Sequence, residues 1–457
     1  MSRVTPPPGL EGKLSYLCAQ IRVPLDYADP NGSAITLQLL KVHDSDNTAS
    51  TGSLLVNPGG PGGSAIEYLL GDLSQMKPAV MQHFDLLAFD PRGVGLSTPL
   101  SCISAKAQDT FDAVSIDVTT VTGFAQAKSV ARHFAQACNQ KYGSTLQYFN
   151  TVNTAKDMDR VRAAVGDKQL NYLGFSYGTE LGSVYAHLFP DQVRVAVLDG
   201  AVDPLTSGIT QSADQLQGFE DAFDQFAASC RASAACATLG NARQAVAGIQ
   251  AAAYKHPLAT KSGRTLTVAL ATTGVMEALY SRSLWTQLGT ALIDARRGDG
   301  SGLLSLADEY DQRYADGQYS NLIQAFTAIS CNDSKSGPSD SAIRATARRW
   351  VSEFPLFGRW SASSLFTCQQ WQPVRTVPPK PTAATSTKVL VVGNLHDPAT
   401  PYQGAKDLTT TMGNAELLTW NGEGHTSYLR GNSCIDQFVD SYLIWRILPP
   451  DGTTCPR

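Results

Sequence analysis

The stretch "LGFSYGTELG" (173–182) sets Ser176 between Gly174 and Gly178. The residues ahead, Leu170–Leu173, are short and apolar, and Tyr177–Leu188 repeats its apolar residues at helical spacing. That order predicts a tight strand-to-helix turn. A serine there is held in a strained backbone conformation with its hydroxyl in the open, and glycines on either side keep the neighbouring strand and helix from colliding with a side chain. The chemistry would be nucleophilic attack on a carbonyl. The pentapeptide alone is weak evidence, because a chain with 38 glycines meets G-x-S-x-G by chance easily.

A serine on such an elbow takes its acid and then its histidine from later in the chain. Of seven histidines, His43, His83 and His133 precede Ser176, His187 sits in the following helix, and His256 lies in a different kind of segment. His396 and His425 remain. His425 follows the strand-like Ala415–Trp420 in the loop "NGEGHTSY", whose glycines let the backbone bring the ring towards the elbow, so it is the expected base. Asp397 comes just past the apolar Val389–Val392, 28 residues ahead of His425, and is the expected acid. Asp199, at the end of the previous strand-like run, competes for that role or caps the turn "DGAVDP". In this arrangement His425 removes the Ser176 proton, and Asp397 fixes the ring tautomer and stabilises the imidazolium. The oxyanion needs two backbone N–H groups. One is expected from Tyr177, the residue after the nucleophile, and the other from the glycine-rich loop "LLVNPGGPGGS" (54–64). That loop has neither a G-K-S/T ending nor a G-x-G-x-x-G match, so it does not read as a phosphate cradle.

These residues need a scaffold of strands ending in loops. Ile35–Val42, Gly52–Val56, Phe84–Phe89, Leu170–Leu173 and Val193–Leu198 read as strands with helical stretches between them, the pattern of a mostly parallel sheet wrapped by helices. From about 205 to 375 the apolar residues recur at helical spacing, as in Leu216, Phe219, Phe223 and Phe226, which reads as core packing of a cap helix. "PVRTVPPKPTAATS" (373–386) reads as a linker, after which strands resume. The expected partition is 1–204 as the first part of an α/β core, 205–379 as an inserted helical cap, and 380–457 as the second part of the core, carrying the acid and histidine.

Bulk properties bound the rest. The net charge of −4 gives no reason to expect a nucleic-acid partner. No apolar run approaches the ~18 residues of a membrane-spanning helix. Nine cysteines include no C-x-x-C and have no histidine at ligand spacing, so no metal and no cofactor is expected. With only 17% charged residues, that many cysteines favour an exported protein with four disulfides and one thiol left over. Cys230 with Cys236 and Cys434 with Cys455 are the pairs to test first, being local. No signal peptide is visible: Met1-Ser2-Arg3 runs into Val4-Thr5-Pro6-Pro7-Pro8, a start that reads as a trimmed, mature secreted or cell-envelope chain with an added Met.

Taken in order, "VPLDY", "NPGGPGGS", "DPRGVGLS", "GFSYGT", "VLDGAVDP", "AISCND" and "GNLHDPATP" resemble the tripeptidyl-aminopeptidase-like serine peptidases, α/β-hydrolases related to prolyl aminopeptidases and mostly exported by actinobacteria. The resemblance runs from about Cys18 to the C-terminus. It implies a helical cap, release of short peptides from free N-termini, and Gly60 as the oxyanion glycine. Pro58 stands where the related H-G-G-P-G loop has its histidine. The family also holds carboxylesterases and amidases. Three readings follow: a serine exopeptidase on peptide N-termini, a serine esterase or amidase on small non-peptide substrates, and a binding protein on a dead hydrolase scaffold. The third is disfavoured because every catalytic type is present in order. A cap carboxylate placed to bind the substrate's α-ammonium would separate the first two, with Glu220 in "QGFEDAF" and Asp333 in "SCND" as candidates.

Overall fold

The computed structural model describes every residue except 5–11, 48–50, 204, 207, 234, 235 and 237. The Thr5–Pro8 start and Pro204, the last residue of the expected first part, therefore lie outside the described residues. Among the described residues, twelve strands follow in chain order: β1 (Ser2–Val4), β2 (Leu14–Pro24), β3 (Ala34–Asp44), β4 (Ser53–Asn57), β5 (Asp85–Phe89), β6 (Leu170–Phe175), β7 (Val193–Asp199), β8 (Leu258–Ala259), β9 (Thr265–Leu266), β10 (Val389–His396), β11 (Ala415–Glu423) and β12 (Thr454–Cys455). All but β8 and β9 form one ten-stranded sheet in the order β1-β2-β3-β5-β4-β6-β7-β10-β11-β12.

From β5 across to β12 every pairing is parallel; β1, β2 and β3 add an antiparallel edge. The central strands β4, β5 and β6 are buried along their whole length. That burial explains their unbroken apolar runs, since helices cover a parallel sheet on both faces. Two large apolar clusters, one on each face, hold the helices down.

Among the described residues from 208 to 366 helices predominate, with the short pair β8–β9 between them. Leu216, Phe219, Phe223 and Phe226 all lie buried in the cap's own core, as their spacing predicts. The cap is not packed only from within. Ile116, Val118, Phe124 and Ala127, from the first part of the chain, join its core. Its helix Leu322–Asp333 leans the other way, burying Ala325 and Ile329 against the sheet side with Tyr177, and Ala328 and Cys331 against Leu100 and Phe134. Residues 373–386 carry no regular structure, as the linker reading expects.

Four disulfides link Cys102–Cys138, Cys230–Cys236, Cys331–Cys368 and Cys434–Cys455, leaving Cys18 as the free thiol. Both pairs proposed from sequence locality are among them. Among the described residues, no helix is long and apolar enough to cross a membrane.

Candidate active site

Loops leaving the C-terminal ends of β4, β6, β7, β10 and β11 converge at the end of the sheet that open α/β proteins use for ligands. Ser176 sits between β6 and the helix Tyr177–Leu188 with φ 56° and ψ −126°, a conformation a non-glycine residue rarely holds. Its N–H donates to the Asp199 carbonyl at 2.9 Å, and its carbonyl accepts from Thr179 Oγ1 at 2.6 Å. The flanking glycines are sterically required. A Cβ on Gly174 would stand 2.5 Å from the Gly178 carbonyl oxygen, and one on Gly178 would stand 2.8 Å from the Asn57 carbonyl oxygen.

Asp397 follows β10 with its carboxylate fully buried. Its oxygens lie 2.9 and 3.0 Å from His425 Nδ1. Four more donors fix that carboxylate: the N–H groups of Ala399, Thr400 and Thr426, and the Thr400 hydroxyl. His425 Nε2 has no hydrogen-bond partner among the described residues, and Ser176 Oγ is not bonded to it. The ring lies beside Gly200, whose added Cβ would be 3.3 Å from His425 Cε1. That puts it at the end of the strand holding the Ser176 N–H. A free Nε2 beside the elbow can take up a serine proton once a substrate draws the groups together.

Asp199 does not share this position. Its buried carboxylate accepts the N–H groups of Ser427 at 2.9 Å and Tyr428 at 2.8 Å, so it braces the loop that carries His425 and makes no contact with the ring. Burial lifts it to about 6, opposed by those two N–H donors. His396 ends β10, and its ring has no hydrogen bond to these groups among the described residues.

The glycine-rich loop runs against the elbow. A Cβ on Gly59 would meet the Phe175 carbonyl oxygen at 2.5 Å and the Tyr177 nitrogen at 2.9 Å. The Gly59 N–H is already committed to Asn57 Oδ1 at 3.0 Å. The Gly60 N–H has no partner among the described residues, which leaves it, with Tyr177 N–H, free for an oxyanion. "DPRGVGLS" supports this loop. Asp90 accepts from Ser64 Oγ at 2.7 Å and from Ile66 N–H, pinning the helix that starts at Ala65. Arg92 is buried in a two-pronged pair with Asp157, both contacts 2.7 Å.

The two expected cap carboxylates part company. Glu220 is 4% exposed and turned into the cap: it accepts from the N–H of Leu356 at 2.8 Å and pairs with Arg243 at 2.5 Å. Its own partners take it inward, away from the α-ammonium role expected of it. Asp333 ends the helix Leu322–Asp333 and accepts from Thr151 N–H at 3.0 Å and Thr151 Oγ1 at 2.7 Å; that hydroxyl also bonds the Tyr177 phenol. Burial and the charge of Glu180 push Asp333 well above the carboxylate range. Glu180, which sequence reasoning did not single out, is one helical turn from Ser176 and on the same helix face. Burial first, and Asp203 second, lift it to about 7, and its carboxylate has no hydrogen-bond or ion-pair partner among the described residues. Its i+4 spacing from the serine was the available signal.

A sequence profile described as alpha/beta hydrolase fold matches residues 52–431. The chain is 32% identical to a tripeptidyl aminopeptidase of Streptomyces lividans, across 96% of this chain and 83% of that one. The chain belongs to the tripeptidyl-aminopeptidase-like branch of the alpha/beta hydrolases. It is similar to serine protease Hip1 of Mycobacterium tuberculosis, at 37% identity over 96% of this chain and 87% of the other, and to a protein of the same species named carboxylesterase B, at 42% over 96% and 86%. An esterase structure from Exiguobacterium antarcticum overlays with a TM-score of 0.38 at 11% identity, covering 90% of this chain and 96% of that one. As a member of this branch the chain is a serine hydrolase, and its serine-protease and aminopeptidase relatives support peptidase activity.

Proposed function

We propose that the protein is a serine exopeptidase that releases single residues or di- and tripeptides from free N-termini through an acyl-enzyme. Ser176 Oγ attacks the scissile carbonyl while His425 Nε2 takes its proton, and Asp397 holds Nδ1–H and stabilises the imidazolium. The N–H groups of Gly60 and Tyr177 hold the oxyanion. Collapse expels the leaving amine, which takes the proton from His425. A water, activated by the same ring, then attacks the acyl ester and frees Ser176. The histidine–aspartate contact, the strained elbow and the two uncommitted N–H groups support these roles. No cofactor or metal is required by any step.

The observation that carries the exopeptidase reading is the pair of carboxylates, Glu180 on the serine's own helix and Asp333 joined to that helix through Thr151 and Tyr177, neither paired with a Lys or Arg among the described residues. An α-ammonium placed there would relieve their repulsion and gain charge-assisted hydrogen bonds. The esterase or amidase alternative is favoured by the relative named carboxylesterase B. A panel of p-nitroanilides of one to three residues, free and N-acetylated, run beside p-nitrophenyl esters, tests this reading. Free amines should be strongly preferred. Asp333→Asn should raise KM for them by roughly 10- to 100-fold, the scale of a charged hydrogen bond, with little change for small esters. Equal turnover of acetylated and free peptides would promote the esterase or amidase reading. The disulfides and the Hip1-type relatives support work outside the cytoplasm.

A further inference from the structure

The cap segment Tyr280–Arg282 touches the loop that carries the histidine. The His425 N–H donates to the Tyr280 carbonyl at 2.7 Å. The Tyr280 ring stands perpendicular to the imidazole, with centroids 5.3 Å apart and planes at 88°. Gly424 lets the two backbones close: at φ +98°, a Cβ there would sit 2.8 Å from the Tyr280 carbonyl oxygen. The Gly424 carbonyl is held in turn by Asn394 Nδ2 at 2.6 Å. One residue further back, Glu423 pairs with Arg282 at 3.2 Å. Tyr280 is itself fixed within the cap, against Phe219 and Tyr310 at ring-centroid distances of 5.7 and 6.0 Å. The cap core thus continues through Tyr280 to the imidazole.

We propose that Tyr280 is a positioning residue for His425, so that the cap completes the catalytic geometry as well as covering the substrate. The inference rests on His425 being the base. Asp397 and the Thr400 hydroxyl hold the ring at Nδ1; the Tyr280 carbonyl fixes the His425 backbone, and the Tyr280 ring limits the swing of the imidazole about Nδ1. Nε2 is then held towards Ser176. A cap displaced from this segment would leave the serine in place but the base misaimed. A small ester needs no contact with the cap beyond this one, which separates positioning from substrate binding.

The test compares Tyr280→Ala, Tyr280→Leu and Tyr280→Phe with the parent, using a small p-nitrophenyl ester, the rate of labelling by a fluorophosphonate, and the far-downfield proton resonance of a histidine Nδ1–H bonded to a carboxylate. Losing the ring should lower kcat and the labelling rate by roughly 10- to 100-fold, the scale of a misplacement near 1 Å. KM for the ester should stay within about threefold, and the Nδ1–H resonance should broaden or shift. Leucine fills the volume without the aromatic edge and should behave like alanine, which covers the case in which alanine does not fold. Phenylalanine should recover activity to within about threefold of the parent, given that edge-to-face packing needs no hydroxyl. Parent-like kcat and an unchanged resonance in Tyr280→Leu would overturn the proposal, as would a loss confined to KM. Ser176→Ala run alongside separates the two levels of inference. If that variant keeps its activity, the serine mechanism itself fails. If it is inactive while Tyr280→Leu is normal, only the positioning role fails.

Discussion

Replacing Asp397 by asparagine changes one atom and tests the proposed mechanism at its most constrained point. The carboxylate accepts from Ala399 and Thr400 N–H on Oδ1 and from Thr426 N–H and the Thr400 hydroxyl on Oδ2, with His425 Nδ1 2.9 and 3.0 Å from the two oxygens. An asparagine cannot turn its NH2 towards Ala399 and Thr400 without facing two N–H donors. It is therefore driven to put the NH2 on the Thr426 side, where it meets one. That orientation offers His425 Nδ1 a donor and selects the tautomer with its proton on Nε2. A protonated Nε2 cannot accept from Ser176. The expected loss in kcat is about 10⁴-fold, the scale found when a triad acid becomes an amide, equivalent to about 5.4 kcal/mol of transition-state stabilisation. The unpaired Thr426 N–H should cost a further ~1–3 kcal/mol of folding stability. Ester hydrolysis under saturating substrate measures the first, and urea unfolding the second. Activity within tenfold of the parent would refute the tautomer argument. Asp199→Asn is the contrast: its carboxylate serves only the N–H groups of Ser427 and Tyr428, so it should lose stability while keeping kcat within about an order of magnitude.

Ser176→Ala should lower kcat by 10⁴-fold or more with an unchanged far-UV spectrum, and a fluorophosphonate should label the parent at Ser176 alone; a label on another serine would refute the assignment. Stability should fall as pH rises from about 5 to 8. Burial raises Asp199 to about 6 and Glu180 and Glu277 to about 7, and it also raises Asp112 and Asp311, which repel each other. Each binds its proton more tightly folded than unfolded, where a carboxyl titrates near ~4. The stabilisation is present below that value and lost as pH passes through the folded one. Thermal melts should place Tm on the order of 5 °C higher at pH 5.5 than at pH 8, and the reverse order would contradict the buried-acid account. Intact mass after alkylation under denaturing, non-reducing conditions should show one modified thiol, at Cys18, with the other eight cysteines paired. Reduction should cost about 4 kcal/mol for each long loop, such as those spanning 36 and 37 residues, and nine alkylated cysteines before reduction would remove the argument for an oxidising compartment.

The sequence by itself determined the parts of this protein whose signals are local. A serine between two glycines implies an elbow because the steric reason for the glycines lies within a few residues, and Ser176 takes φ 56° there. The runs Leu54–Val56 and Leu86–Phe89 announce buried parallel strands because both of their faces are covered. Chain order was enough to favour His425 and Asp397 over the other histidines and acids. The strand Leu14–Pro24, next to the sheet's edge, stayed illegible because it is only partly buried and mixes polar residues such as Gln20 and Arg22 into its alternation. What tertiary structure decided was which polar groups find partners. Glu220 and Asp333 look alike in sequence, each an acid on a cap helix, yet Arg243 and the Leu356 N–H draw the first into the cap while Thr151 holds the second beside Tyr177. Asp199 and Asp397 both end core strands; only the fold gives one to backbone N–H groups and the other to an imidazole. The contact of Tyr280 with His425 joins residues 145 positions apart. It depends on how the cap is seated over the sheet, and hydrophobic periodicity says which face of a helix is buried without saying what will cover it.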